Sequence, residues 1–185
     1  YVPLYGLYDY SWSKVIYTAS ELSAAGLSAG QIDGIGFEVG NSPSSYVTED
    51  QRVYLRATTA SLYAETDNTL PANADFQNVY MADYTWNGTG WQYIMFSTPF
   101  TWDGTSNLEI LWENWDGAWG SYYPNFRYTA TTEYQAVYKY ADSSFPAEAT
   151  GTLYYNRPNL QIVPPQLDPP DPAVLIAPAD GGLTF

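Results

Sequence analysis

The sequence predicts an all-β protein: a two-sheet antiparallel sandwich of jelly-roll type, with one short helical turn and a proline-rich C-terminal tail. Three observations carry this prediction. Aromatic residues make up 18 % of the chain and charged residues only 14 %, which suits half-buried pleated surfaces and leaves too few charges for long amphipathic helices. Short runs of alternating polar and apolar residues recur along the chain, separated by Gly, Asn, Asp and Pro. No segment repeats with a period of about 20 to 50 residues, which sets solenoids and propellers aside.

The elements follow in order. Residues 1–12 are Tyr-rich, with a turn near Pro3 and Gly6, and lead to a first strand at 13–18 in which Val15 and Tyr17 oppose Ile16. Residues 20–26 combine a capping Ser20, helix formers and a terminal Gly26, and predict a single helical turn. The next strand spans 31–39, with Ile35, Phe37 and Val39 on one face and Gly34 and Gly36 on the other, where two glycines imply a close neighbour or a bulge. After a turn at 40–45, a strand at 52–58 sends Val53, Leu55 and Ala57 inward and Arg52, Tyr54 and Arg56 outward. The two arginines are expected to pair with acids of an adjacent strand. Residues 61–74 read as a long irregular crossing. Residues 77–84 and 92–98 are extended, and Trp86-Asn87-Gly88-Thr89-Gly90-Trp91 between them signals a tight hairpin, because Asn-Gly readily supplies positive φ angles.

Residues 108–120 hold three of the seven tryptophans and three of the 20 carboxylates. Alternation places Leu108, Ile110 and Trp112 on one face as core and Glu109, Leu111 and Glu113 on the other, before Asn114, Asp116 and Gly117 break the pattern into a loop. Strands at 126–129, 135–140, 151–155 and 159–163 complete a set of about nine. The sandwich domain is thus residues 1–163. Residues 164–172, with five prolines, form a stiff polyproline-type linker, and residues 173–185 open with an apolar strand that begins a following module or serves assembly.

Composition restricts function. Twenty acidic against six basic residues give a net charge of −14, and the bases are scattered, which disfavours nucleic acid and anionic membranes and leaves calcium, neutral sugars or other proteins as compatible partners. On the plainer reading the acidity serves solubility alone. With no Cys and no His there is no disulfide framework, no thiolate or imidazole zinc site and no Ser-His-Asp or Cys-His chemistry, which leaves only carboxylate, Lys or Tyr chemistry for an enzyme. Glu109 and Glu113, on one strand face about 13 Å apart at ~3.3 Å per residue, exceed the spacing used by glycosidase carboxylates. No apolar run is long enough to span a membrane. The chain starts without Met or a signal peptide, as expected of a processed or excised part of a longer secreted precursor.

Three candidate sites follow. A carbohydrate platform would use Trp112, Trp115 and Trp119 for stacking, with Asn114, Asp116 and Tyr122 or Tyr123 hydrogen-bonding to hydroxyls; on the plainer reading Trp112 is core and Trp115 and Trp119 cover the end of the sandwich. A structural calcium would draw on Glu113, Asn114 and Asp116, although no Asp-x-Asp-x-Asp loop exists and no other cofactor is expected. An assembly strand would use Ala173, Val174, Leu175, Ile176 and Ala177, adding to a sheet edge of this chain or of a neighbour.

Several motifs together resemble a β-sandwich module of large multi-modular secreted or surface proteins from bacteria with type IX-like secretion. They are Tyr8-Asp9-Tyr10-Ser11-Trp12-Ser13, Trp86-Asn87-Gly88-Thr89-Gly90-Trp91, Trp112-Glu113-Asn114 with Asp116-Gly117, Phe126-Arg127-Tyr128-Thr129, and Gly151-Thr152-Leu153-Tyr154 with Arg157-Pro158-Asn159. The likeness covers residues 1–163, and residues 172–181 resemble the opening of a fibronectin type III module. The resemblance implies an extracellular location and modular architecture, and no catalytic residues. The expected function is a structural or adhesive module that assembles through its tail strand into a fibre, layer or surface protein, with carbohydrate binding by the aromatic and acidic loop as the alternative.

Overall fold

Strand formation follows the alternation in the sequence. The computed structural model describes residues 1–165, and among these are β1 (Tyr10–Tyr17), β2 (Gly30–Val39), β3 (Tyr46–Thr58), β4 (Gln77–Trp86), β5 (Gly90–Trp102) and β6 (Asn107–Asn114). Shorter strands follow: β7 (Tyr128–Ala130), β8 (Ala136–Ala141), β9 (Thr152–Tyr154), β10 (Asn156–Pro158) and β11 (Leu160–Val163). A six-stranded sheet has the order β4-β3-β6-β1-β8-β9, a three-stranded sheet the order β11-β2-β5, and β10 pairs with β7 as a ribbon; every pairing is antiparallel. From β1 to β3 and again from β4 to β6 the chain passes between the two large sheets, as in a jelly roll. The predicted linker from residue 166 onward and the tail strand at 173–177 lie outside the described residues.

The two sheets enclose one core. Val15 and Tyr17 of β1, Ile35, Phe37 and Val39 of β2, Val53 and Leu55 of β3, Ile94 of β5 and Leu108, Ile110 and Trp112 of β6 belong to one buried cluster. Leu160 and Ile162 pack on it from β11. Indole N–H groups carried into the interior need acceptors. Trp112 donates to Gln51 Oε1 at 2.8 Å, Trp86 to Thr48 Oγ1 at 3.2 Å, Trp102 to the Ser106 carbonyl at 2.8 Å and Trp12 to the Pro146 carbonyl at 2.9 Å.

The six-stranded sheet is buried on its other face too. Trp12, Ile16 and Val137 pack with Tyr63, Leu70 and Phe145, while Tyr54 and Leu111 pack with Phe76 and Leu70. The irregular crossing at 61–74 is therefore a cover. Arg52, Tyr54 and Arg56 do lie on the face away from the main core, as expected, but that face is covered and Tyr54 is only 6 % exposed.

Other differences are local. Helix α1 (Ala19–Ala24) is capped by Thr18, not Ser20, because Thr18 and Glu21 form a reciprocal capping box that Ser20 has no partner to make. The Asn-Gly turn joins β4 to β5 as expected, yet the strands belong to different sheets, β4 pairing with β3 and β5 with β2. Positive φ falls on Gly88 and Gly90 rather than on Asn87. Side chains bridge the seam: Tyr84 Oη donates to the Tyr93 carbonyl at 3.1 Å and Ser97 Oγ to the Val79 carbonyl at 3.1 Å. In β2 both glycine readings hold, since the register shifts between Ile32 and Gly34, and a Cβ on Gly36 would lie 2.7 Å from the Tyr93 ring. β10 and the N-terminal portion of β3 have no counterpart among the predicted strands.

Candidate functional site

β6 lies between β3 and β1, so every side chain on it meets a neighbour. Its second face carries Glu109 and Glu113, which are 1 % and 2 % exposed. Burial of a carboxylate requires partners. Glu109 Oε2 accepts from Arg56 Nε at 2.7 Å, with Arg56 Nη2 also at 2.7 Å, and Glu109 Oε1 accepts from Tyr63 Oη at 2.8 Å. Lys14 sits beside them with Nζ 4.6 Å from the centre of the Tyr63 ring, and its burial pushes the ammonium below the usual lysine range. Glu113 Oε2 accepts from Trp115 Nε1 at 2.9 Å and from Tyr54 Oη at 3.5 Å. The expected strand pairing of the arginines holds for Arg56. Arg52 instead turns to Asp50 on its own strand, with Nε and Nη2 at 2.9 and 2.7 Å from the two carboxylate oxygens.

The predicted carbohydrate platform is divided by this geometry. Trp112 is 1 % exposed and Asn114 fully buried, so neither can present a face to a sugar; strand alternation extends one residue further than the predicted loop break. Trp115 stacks on Phe145 at 4.0 Å and 10°, and the Arg52 guanidinium lies 4.4 Å from its ring centre. Asp116 Oδ1 accepts from the Glu49 backbone N–H at 3.2 Å, and partial burial raises its carboxyl. Only Trp119 and Tyr122 are freely exposed, at 64 % and 79 %. Gly117 and Gly120 tie this loop to the N-terminal segment through their N–H groups, which reach the carbonyls of Asp9 and Gly6 at 2.9 and 3.0 Å. The predicted calcium set is divided as well. Glu113 and Asn114 are consecutive strand residues and point to opposite faces, and among the described residues no three acidic side chains converge as a metal site.

A different feature stands out. β11 pairs with β2 on one side only, and among the described residues no strand pairs with its other side. A groove of about 1030 Å³ runs beside it, lined by Tyr17, Leu22, Leu27, Arg157 and Gln161 and, where the chain leaves the sheet, by Pro164 and Pro165. Arg157 holds the helical wall in place. It is 8 % exposed, donates from Nη1 to the Ile16 carbonyl at 2.8 Å and to Glu21 Oε2 at 3.0 Å, pairs again with Glu21 through Nη2, and lies 4.5 Å over the Tyr17 ring. These hydrogen bonds hold the Glu21 carboxyl down at about 2. The groove lining was not a sequence-predicted site. The Thr18-x-x-Glu21 capping box was the available signal for its wall, but nothing local pairs Glu21 with Arg157, 136 residues away.

Neither a family model, a curated protein nor a solved structure matches this chain. Among the described residues no helix is long and apolar enough to cross a membrane.

Proposed function

We propose that this protein is a non-catalytic extracellular module that assembles by strand addition: the segment from Ala173 to Ala177 of one copy enters the groove of a second and adds a strand to β11. The observation that carries this reading is the edge of β11, unpaired among the described residues, beside a largely apolar groove that Pro164 and Pro165 line where the chain departs. Main-chain hydrogen bonds supply affinity in such docking, and alternate side chains supply register. A five-residue strand spans about 16 Å at ~3.3 Å per residue, comparable to β11 with its flanking residues. In Ala173-Val174-Leu175-Ile176-Ala177 one face is Val174 and Ile176, suited to cover Leu22 and Leu27.

Linker composition favours a second copy over the same chain. An antiparallel return onto β11 needs a tight reversal after Val163, whereas nine residues with five prolines favour an extended spacer of about 28 Å. The extracellular assignment rests on the resemblance stated above, with which the absence of cysteine is compatible.

Light scattering coupled to size-exclusion chromatography tests the proposal. The full chain should associate as its concentration rises, while the chain ending at Pro165 and the Leu175→Pro variant should remain monomeric. Equal association of the truncated chain, or a full chain that stays monomeric at high concentration, would refute it.

A further inference from the structure

The outer face of the β11-β2-β5 sheet carries a second arrangement, which meets the rim of the groove at Trp91, Thr129, Asn159 and Gln161. Register places Trp91 of β5 opposite Glu38, Tyr93 opposite Gly36 and Met95 opposite Gly34, all on the face away from the core. Because β2 offers no side chain at positions 34 and 36, the β5 side chains lie flat across it. The Tyr93 ring occupies the space where a Gly36 Cβ would be, and Met95 Sδ lies 3.1 Å from the position of a Gly34 Cβ. Tyr93 reaches across to β11 and donates from Oη to Gln161 Oε1 at 2.6 Å, which fixes the ring in plane. Its outer side stays open, Tyr93 and Met95 being 45 % and 54 % exposed.

Polar groups border this strip at its Trp91 end. Glu38 accepts from Asn159 Nδ2 at 2.8 Å and pairs with Arg127 at 3.4 Å, and Asn159 in turn accepts from Thr129 Oγ1 at 2.9 Å. These side chains are held by one another, yet Arg127 remains 58 % exposed and keeps donors free for a ligand. A flat aromatic ring bordered by fixed carboxylate, amide and guanidinium groups matches the two surfaces of a pyranose, its C–H face and its equatorial hydroxyls.

We propose that this face binds a neutral, β-1,4-linked polysaccharide. Three features select that class. The net charge of −14 repels anionic polymers. The strip is flat rather than clefted, which suits a ribbon-like chain. From Trp91 to Met95 it extends about 13 Å at ~3.3 Å per residue, enough for two to three sugar rings. The site shares no residue with the loop of Trp115 and Trp119; it borders the groove through Trp91, Asn159 and Gln161, while its central residues Tyr93 and Met95 lie outside the groove lining, so sugar binding is read separately from association through the tail.

Affinity electrophoresis of the full chain tests it, with hydroxyethyl cellulose in one gel and anionic carboxymethyl cellulose in another. Retardation is expected in the neutral gel, with clearly less in the anionic one. Tyr93→Ala should weaken binding by about tenfold and Tyr93→Phe, which keeps the ring, by much less. Trp119→Ala should leave retardation unchanged. Folding of each variant is checked by its urea midpoint. Absence of retardation in the neutral gel overturns the proposal, as does retardation that survives Tyr93→Ala combined with Trp91→Ala.

Discussion

Replacing Arg56 by Met isolates the buried charge beneath the cover at residues 59–76. Glu109 is 1 % exposed and receives two contacts from Arg56 at 2.7 Å, so the substitution leaves its carboxylate with Tyr63 Oη and the neighbouring Lys14 charge. Removing one partner of a fully buried ion pair costs about 3–5 kcal/mol. The Arg56 side chain is 30 % exposed, so water can reach part of the vacated space, and the expected cost falls to about 2–3 kcal/mol. Met retains the stem that lies against Phe76, where the guanidinium carbon is now 4.3 Å from the ring centre, so the loss is electrostatic rather than a cavity. With a urea dependence of about 2–3 kcal/mol per molar, the midpoint should fall by about 1 M. Glu109→Gln placed on the Arg56→Met background should recover at least half of that loss, since a neutral amide still accepts from Tyr63 and no longer demands a cation. A single-variant loss below about 1 kcal/mol, or a double variant no more stable than the single, would show that the pair does not hold the cover as argued.

Acid stability and metal dependence provide two further checks. The folded Glu21 carboxyl sits at about 2 against 4.5 for the free group, so its ionised form is favoured by folding; this stabilisation is complete above about pH 4.5 and is lost as pH falls toward 2. Wild type and Glu21→Gln should therefore converge in urea midpoint across that window, by no more than about 1 kcal/mol because the Glu21 side chain is 45 % exposed, and a constant offset between them would contradict the assignment. Chelation by EDTA should leave the melting temperature unchanged, since Glu113 and Asp116 are engaged separately by Trp115 and by the Glu49 N–H; a drop reversed by added calcium would show that a set of ligands forms there after all.

The main strands and their inward faces were legible because one periodicity governs both. Ile35, Phe37 and Val39, Val53 and Leu55, and Leu108, Ile110 and Trp112 all point to the shared core as their alternation requires. Burial of the second face of the six-stranded sheet was not legible. Glu109, Glu113 and Lys14 read as solvent residues by type, and only the long-range return of Tyr63, Leu70 and Phe145 onto that face makes them interior. The same limit applies to the candidate site. Trp115 and Asp116 do end up at the rim of β6, but whether Asn114 joined them depended on where the strand stopped, and the partner strands carry β6 through Asn114, opposite Ser11 and Gln51. Gly34 and Gly36 announced a close approach without saying whose. Tyr93 and Met95 answer it, 57 and 61 residues further along the chain.

The treatment of the sheet edges bears on the assembly proposal. An unpaired edge invites association, and proteins blunt it by shortening it, covering it or placing charge or proline in it. β4 and β5, the edges at one side of the sandwich, run beside each other and are joined through Tyr84 and Ser97. β9 has only three residues, and Tyr154 within it meets the rings of Tyr1 and Tyr138, tilted and edge-on, with centres 5.9 and 5.3 Å away. β11 is different: Leu160-Gln161-Ile162-Val163 contains no charge and no proline, and it opens onto a groove. In a molecule of net charge −14, an incoming strand with acidic side chains would be repelled there. Ala173-Val174-Leu175-Ile176-Ala177 is an uncharged run, and it follows a proline-rich segment poor in backbone donors and so ill suited to occupy the edge itself. Under the proposed assembly these features have one cause: the edge is left open because the same chain carries the strand that closes it in a neighbour. Introducing Lys at Gln161 and at Leu175 together should then abolish association through like-charge opposition, whereas Lys at Gln161 with Glu at Leu175 should restore part of it, and light scattering that ranks the two pairs equally would exclude β11 as the acceptor.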